Sequence, residues 1–386
     1  MSRYRSHLEV ARQLIEGYQG ETPFALYLKK FFSGKKKFGS TDRKTIAGLC
    51  YNFFRTAHAL KGNLTERIVQ SFFLMNESAH PFLEEMDSAL NKQVSQPIDK
   101  KLDLLQLNVK DLFPFRDQLS DEIKIESFCK SFLHQPSLFL RPRPGKEIAV
   151  LNKLEKAGIP YERPDEHSLQ IANGTKLEDI ISLNKEAVVQ DISSQHTLDY
   201  IGEDLFNNFP VSTWDCCAAS GGKSILAFDR LNQKLRLTVT DIRSSILKNL
   251  MQRLAEAGVP VYHSAVADLG KPLKGFDKFD VIICDAPCTG SGTWARTPEQ
   301  LYSFKEERIG YYASLQQSII NNAIPHLNNG GIFVYITCSV FAEENERQVD
   351  RILKHPGMDL LHRQYIKGYT MQADTLFTST FRLSRQ

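Results

Sequence analysis

Apolar residues recur at helical spacing from the front of the chain: Leu8, Ala11, Leu14 and Ile15, then Ile46, Leu49, Cys50, Phe53 and Phe54. Intervals of three and four place them on single helix faces, and the spacing persists to about Cys129, which predicts a bundle of short helices. Ser40 or Thr41 is placed to cap the helix that carries Arg43, Lys44 and Ile46. Pro136, Pro142, Pro144 and Gly145 then interrupt the pattern and set a boundary near residue 130.

Beyond that boundary, SLFLRP, HSLQIA and EAVVQDI read as strands, and KEIAVLNKLEKAGI reads as a helix ended by Gly158. From Leu198 onward, apolar strands (VSTWDCC, LRLTVTD, VPVYHSAV, FDVIICD, GGIFVYITCS) alternate with amphipathic helices (SILAFDRL, SILKNLMQRLAEAG, SLQQSIINNAIPHL). That order predicts an α/β domain with a mostly parallel sheet and helices on both faces. The expected organisation is therefore 1–130 helical, 131–197 a small α/β module, and 198–386 the large α/β domain. The final stretch is read as a closing hairpin with KGY and FRL at its ends, and His355 and His362 are given packing or surface roles.

At 386 residues, with 42% apolar and 24% charged side chains, the chain has the composition of a folded globular protein and the length of two or three domains. No apolar run approaches the roughly 18–20 residues a membrane span needs, and MSRYRSHLEV lacks the hydrophobic stretch of a signal peptide. A cytoplasmic, monomeric protein is expected. The seven cysteines are too few and too irregular for a disulfide scaffold, and none forms a CxxC pair, so no metal is expected.

The net charge of +3 is unevenly spread: residues 1–62 hold twelve Lys and Arg against four Asp and Glu. Such a front attracts a phosphate backbone. Arg3, Arg5, Lys35, Lys36, Lys37, Arg43 and Lys44 are the candidate RNA contacts; a solvated helix face is the competing reading.

In an open α/β sheet, ligands bind beyond the carboxyl ends of the strands. There DCCAASGGKS (215–224) joins a strand to a helix through small residues and two glycines, a turn that lets a ligand approach the backbone. Its GKS ending, with the apolar run closed by Asp285, imitates a nucleotide-binding P-loop and raises an NTPase as an alternative. The position where a P-loop needs its first glycine holds Cys217, however. Asp241 ends the next strand about 20 residues on, where a carboxylate can take ribose hydroxyls, although it is also placed to cap the following helix. With GxGxxG absent, S-adenosylmethionine suits the turn better than a dinucleotide.

Cys288, in DAPCTGSGT (285–293), and Cys338, in YITCS, place thiols at two further strand ends. Cys50, Cys129, Cys216 and Cys284 read instead as small buried hydrophobes. Carbon 5 of a pyrimidine attacks a methyl sulfonium only after a nucleophile has saturated carbon 6, and a thiolate does this well. A second group must then take the carbon-5 proton. Asp285 can hydrogen-bond the base edge, and Lys223 can position that carboxylate or favour a thiolate. Spacing alone does not separate the roles of the two thiols. A noncatalytic RNA-binding assembly factor is a third reading, against which the paired thiols count.

At DCCAASGGKS, the TD of 240–241, DAPCTGSGT and YITCSVFAEENE (335–346), the chain resembles the RNA cytosine-5 methyltransferases of the Sun/Fmu type, with all four motifs in family order. The resemblance covers residues 210–346. It implies a Rossmann-like class I methyltransferase domain that uses S-adenosylmethionine to methylate cytidine in RNA, ribosomal RNA before transfer RNA. The methionine part of the cofactor would lie among Cys217, Ala218, Ala219, Ser220, Gly221, Gly222 and Lys223, near Asp285. Asp241 would take the ribose and Asp268 would lie near the adenine. It also implies Cys338 as nucleophile and Cys288 in product release. Ser220 stands where the family usually has proline, which frees the turn. QDISSQ (190–195) looks like part of the family's RNA-facing module, and the helical front is similar to a NusB-like domain.

Overall fold

The structure, a computed structural model, describes residues 2–35, 37–201, 210–273 and 275–384. The chain divides into two compact units, one of Met1–Asp117, Lys124–Gln135 and Trp294–Glu306, the other of Gln118–Ile123, Pro136–Thr293 and Glu307–Gln386.

The first unit is helical, as the 3.6-residue periodicity requires. Its longer helices are Arg3–Gly17, Phe24–Ser33, Ser40–Thr56 and Leu64–Met75, and their apolar faces bury Leu14, Phe24, Phe53, Phe54 and Phe73. The cap expected at Ser40 or Thr41 lies elsewhere. The helix starts at Ser40 with Gly39 as its cap residue, because Asp42 in the first turn turns back to accept the Gly39 N–H at 3.0 Å. The unit also differs from the expected 1–130 span in taking residues 294–306. Trp294 and Leu301 are fully buried within it, and the Tyr302 ring centroid lies 5.4 Å from that of Phe53. Buried Arg55 donates to the carbonyl oxygens of Phe132 and Ala295, tying three stretches of chain together.

The second unit contains two sheets. In the smaller, β1 (Leu138–Pro142), β2 (Tyr161–Glu162), β3 (Leu169–Ile171) and β4 (Ala187–Val189) take the order β2-β3-β1-β4, all antiparallel. The helix Glu147–Lys156 covers it and ends before Gly158, whose φ of +66° suits a residue without Cβ.

The larger sheet is seven-stranded. It comprises β5 (Val211–Asp215), β6 (Leu235–Asp241), β7 (Val261–Val266), β8 (Phe279–Asp285), β9 (Leu327–Thr337), β10 (Met358–Lys367) and β11 (Thr375–Leu383), ordered β10-β11-β9-β8-β5-β6-β7. Strands β5 to β9 pair in parallel, and the β10–β11 hairpin adds an antiparallel edge. KGY falls at its turn, and the hairpin starts well before it. Val211, Ile225, Leu237, Val239, Leu250, Leu254, Ile283 and Val334 pack the core between sheet and helices.

The small module expected at 131–197 does not stand apart from the large sheet. Arg141 on β1 and Arg143 just after it meet both oxygens of Asp229 in the helix Gly222–Arg230, at 2.6 and 2.8 Å, and all three side chains are more than nine-tenths buried. A buried carboxylate shared by two guanidiniums is costly to break, which makes module and sheet one unit.

Candidate active site

Strands β5, β6, β8 and β9 end side by side, so Asp215, Asp241, Asp285 and Thr337 mark one edge of the parallel sheet. The chain leaves β5 through Cys216–Gly221 and enters the helix at Gly222. Ala219 and Gly221 have φ of +42° and +81°, and a Cβ on Gly221 would stand 2.4 Å from Leu250. Glycine is required there by both the left-handed backbone and the packed helix behind it.

Asp241 holds this turn. Its Oδ2 accepts from the Ala219 N–H at 3.1 Å and its Oδ1 from the Arg243 N–H and Nε at 2.9 and 3.1 Å. Burial opposes its charge, but the Arg243 bonds outweigh burial and keep its pKa below the usual carboxylate value. The following helix begins at Ser244 with Arg243 as cap residue, so Asp241 does not cap it. A carboxylate has about four acceptor sites, and with the bond from Arg243 Nη2 to Oδ2 at 3.3 Å all four are used. Asp268 follows β7; its neighbour Ala267 donates to the Asp241 carbonyl at 3.2 Å, which places both acids at one corner of the sheet.

A cavity of about 230 Å³ opens over the turn. Of the residues expected to hold the cofactor, Cys217, Ala218, Ala219, Ser220, Gly222, Lys223 and Asp285 line it. Gly221, Asp241 and Asp268 do not. Val189, Gln190, Asp191, Ser194, Asp215 and Arg253, none of them a cofactor candidate from sequence, complete the wall. Gln190, Asp191 and Ser194 come from the segment read as RNA-facing, and only the tertiary fold brings them to the glycine turn.

Asp215 Oδ2 accepts from Ser224 Oγ at 2.6 Å, whereas its buried Oδ1 has no partner among the described residues. Burial, with the Asp285 charge nearby, pushes its pKa up to about 7. Opposite it, Lys223 Nζ lies 2.6 Å from Asp285 Oδ2. Burial works against the ammonium, yet Asp285 more than offsets this and raises the Lys223 pKa.

The two thiols meet beside this pair. Cys288 Sγ and Cys338 Sγ are 3.3 Å apart and both partly exposed. The bond to Cys338, and then burial, hold the Cys288 thiol well above its ordinary pKa. Under them, Glu344 bonds the residue after each cysteine: Thr289 N at 2.9 Å and Ser339 Oγ at 2.6 Å. Cys50, Cys129, Cys216 and Cys284 are all fully buried.

The basic candidates lie in the helical unit. Arg3 pairs with Asp42 at 2.7 Å and Arg5 with Glu85 at 3.3 Å. Lys35 Nζ sits 3.4 Å from the Phe31 ring centroid, and Lys37 lies 5.0 Å from that of Phe38. Arg43 donates to the Phe38 carbonyl, and Lys44 is exposed. Arg3 and Lys37 share one hollow with His7 and Asp42. Lys36 lies outside the described residues. Among the described residues no group of three or more His, Cys, Asp or Glu could hold a metal ion, and no helix is long and apolar enough to cross a membrane.

A parallel sheet with its cavity at the carboxyl ends, a glycine turn after the first strand and an acid after the second is the arrangement of a Rossmann-like α/β fold. Residues 208–381 match the family described as 16S rRNA methyltransferase RsmB/F, and over that segment the resemblance carried by the four motifs holds. The chain is 28% identical over 241 residues to the probable ribosomal RNA small subunit methyltransferase B of Bacillus subtilis (strain 168), covering 61% of this chain and 53% of that protein. It is 34% identical over 180 residues to ribosomal RNA small subunit methyltransferase B of Yersinia pseudotuberculosis serotype O:1b (strain IP 31758), covering 45% and 39%. The chain therefore spans about half the length, or less, of these curated relatives.

Among solved structures, PH0851 matches with a TM-score of 0.72 at 18% identity over 99% of both chains. NSun6 from Pyrococcus horikoshii, solved with SFG, matches with 0.59 at 16% identity over 70% of this chain and 97% of that one. Both likenesses establish the fold. None of these four relatives is described as an NTPase, and Lys223, which a P-loop would direct at phosphate, is engaged by Asp285.

Proposed function

We propose that the protein transfers a methyl group from S-adenosylmethionine to carbon 5 of a cytidine in RNA, ribosomal RNA being the favoured substrate, through a transient bond between Cys338 and carbon 6. The observation that carries this reading is the pair of thiols 3.3 Å apart beside the Lys223–Asp285 ion pair at the carboxyl end of the sheet. The names of the relatives support RNA as the substrate.

The cavity residues suit the cofactor. The unpartnered Asp215 Oδ1 offers an acceptor to an ammonium, the turn at 217–222 leaves backbone close to the ligand, and Asp241, at the end of the next strand, would take a ribose hydroxyl by giving up one of its Arg243 side-chain bonds. When bound, S-adenosylmethionine supplies an electrophilic methyl group.

The chain's own residues do the rest. The Cys338 thiolate adds to carbon 6, the electron pair of the 5,6 double bond moves into the ring, and the ring nitrogen takes up a proton from water; Asp285 accepts a hydrogen bond from that N–H and so favours the neutral adduct. Carbon 5 then carries the nucleophilic pair that takes the methyl group. In release, the carbon-5 proton passes to water, the double bond re-forms and the Cys338 thiolate departs with its electrons, helped by the S–H of Cys288, which lies 3.3 Å away and donates to the departing sulfur. The target base leaves its stack to reach the thiols. The basic helical unit, through Arg3, Arg5, Lys35, Lys36, Lys37, Arg43 and Lys44, draws in the RNA backbone.

Bisulfite sequencing of total RNA from cells with and without the protein tests the reading. A cytidine that resists conversion only when the protein is present is the expected result, and Cys338→Ala should not restore it. An unchanged pattern, or full restoration by Cys338→Ala, overturns it.

A further inference from the structure

Gln190 follows β4 of the small module, yet it lines the cavity over the glycine turn of the large sheet. Its side chain is buried, with 6% of the residue exposed, and Arg141 fixes which way its amide faces. A guanidinium offers donors only, so the atom that meets Arg141 Nε at 3.0 Å is the carbonyl oxygen Oε1, and Nε2 is turned away from it. Arg141 is itself held, since its Nη1 donates to Asp229 at 2.6 Å. Nε2 thereby comes to the head of the helix Gly222–Arg230, where a Cβ on Gly222 would stand 3.8 Å from it.

An amide nitrogen has two hydrogens to place. One goes to Ser194 Oγ at 3.1 Å. Among the described residues the other meets the carbonyl oxygens of Ser194 and Gly222, both at 3.5 Å, beyond the roughly 2.7–3.2 Å of a well-made N–H···O bond. Further donors gather at the same helix head. The Ile225 N–H makes its bond to the Gly221 carbonyl at 3.0 Å, so the N–H groups of Gly222 and Lys223 before it have no acceptor within the helix, and no side chain caps it. Asp191, next to Gln190, has its oxygens on the Ser193 and Asp374 N–H groups at 2.9 and 3.0 Å and does not compete for the amide. The open acceptor of the cavity is Asp215 Oδ1, on the strand before the turn. Donors at the helix head and an acceptor at the strand end match the two charges of a zwitterionic amino acid.

We propose that Gln190 is a specificity residue for the amino-acid end of the cofactor: its second N–H, with the backbone N–H groups at the helix head, takes the carboxylate of S-adenosylmethionine, while Asp215 takes the ammonium. This rests on the methyl-transfer reading above. Arg141 is then a positioning residue, because it keeps the N–H of Gln190 and not its carbonyl turned to the ligand. The small module, read from sequence as RNA-facing, supplies part of the cofactor site as well.

Isothermal titration calorimetry on the full chain tests this with two ligands: S-adenosylhomocysteine, which keeps the amino-acid end, and 5′-methylthioadenosine, which lacks it. Gln190→Glu keeps the shape and the acceptor for Arg141 but turns an oxygen to the cavity. It should weaken S-adenosylhomocysteine by about tenfold or more, the worth of one hydrogen bond to a charged group, and leave 5′-methylthioadenosine unchanged. Equal weakening of both ligands would mean that Gln190 only shapes the turn, and it overturns the proposal. Should Gln190→Glu fail to melt cooperatively, Gln190→Met takes its place with the same criteria. In the natural chain, decarboxylated S-adenosylmethionine should bind about tenfold or more weakly than S-adenosylmethionine, and equal affinities also overturn the proposal. A natural chain that binds none of these ligands overturns this proposal and the methyl-transfer reading together. One that binds S-adenosylhomocysteine, with no loss in the variant, overturns this proposal alone.

Discussion

The sulfur atoms of Cys288 and Cys338 face each other at 3.3 Å although fifty residues separate them in sequence. Strands β8 and β9 are parallel neighbours, so the turns that follow them emerge together, and each delivers one thiol to the same point. If Cys338 forms the covalent bond and Cys288 assists its breakdown, removing the second thiol should strand the enzyme on its substrate. Cys288→Ala incubated with RNA and S-adenosylmethionine is expected to accumulate a protein–RNA adduct that survives denaturing electrophoresis. Cys338→Ala should give none. An adduct formed equally by both variants would exclude Cys338 as the attacking atom.

Ser220 lacks the ring that would stiffen the glycine turn, and Arg253 takes up part of that task. Its Nη1 donates to the Ser220 carbonyl and hydroxyl at 3.0 and 3.2 Å, and its Nε to Asn184 Oδ1 at 2.9 Å. Arg253→Ala should weaken S-adenosylmethionine binding by about five- to tenfold, the worth of roughly 1 kcal/mol of lost hydrogen bonding. Isothermal titration calorimetry would show this, and an unaltered dissociation constant would deny Arg253 any part in holding the turn.

Asp229 neutralises two buried guanidiniums. Asp229→Ala leaves both unpaired, at a cost of about 3–5 kcal/mol, or on the order of 10 °C in the melting temperature of a domain this size. Scanning calorimetry is the direct check. A loss below about 1 kcal/mol would show that water or rearrangement satisfies the arginines.

His196 lies 2.7 Å from Asp199 and 2.9 Å from Asp165. The bond to Asp199, helped by Asp165 and opposed by burial, raises its pKa to about 9. A histidine whose folded pKa exceeds its unfolded value stabilises the fold fully below about pH 6.5, and this contribution is lost as pH rises through about 9. The difference in urea midpoint between the natural chain and His196→Gln should therefore be largest near pH 6 and shrink toward pH 9. A constant difference across that range would contradict the shift.

How much of this was legible beforehand depends on where the forces act. The strands that end at Asp215, Asp241, Asp285 and Thr337 were visible as apolar runs stopped by polar residues, because each is buried on both faces of a parallel sheet. The glycine turn, the two thiols and the Lys223–Asp285 partnership followed from residue chemistry at those ends. Glu344 stood within a recognised motif yet read as one more acid, since its partners Thr289 and Gln316 arrive from remote elements. Asp229 lies in SILAFDRL, which reads only as an amphipathic helix, and nothing local reveals Arg141 and Arg143 waiting across the fold. The placement of Gln190 and Ser194 over the glycine turn was hidden likewise. Residues 294–306 carry a helical segment whose pattern says that it has an apolar side, but not which core receives it.

That last segment has a bearing on how the protein is made. The helical unit buries Trp294 and Leu301, so a ribosome that has released only the first 135 residues has delivered an unfinished bundle with a gap in its interior. The unit can close only after residue 306 has left the exit tunnel, and until then its exposed phenylalanines are a target for chaperones. An excised fragment ending at residue 135 would carry the same defect permanently.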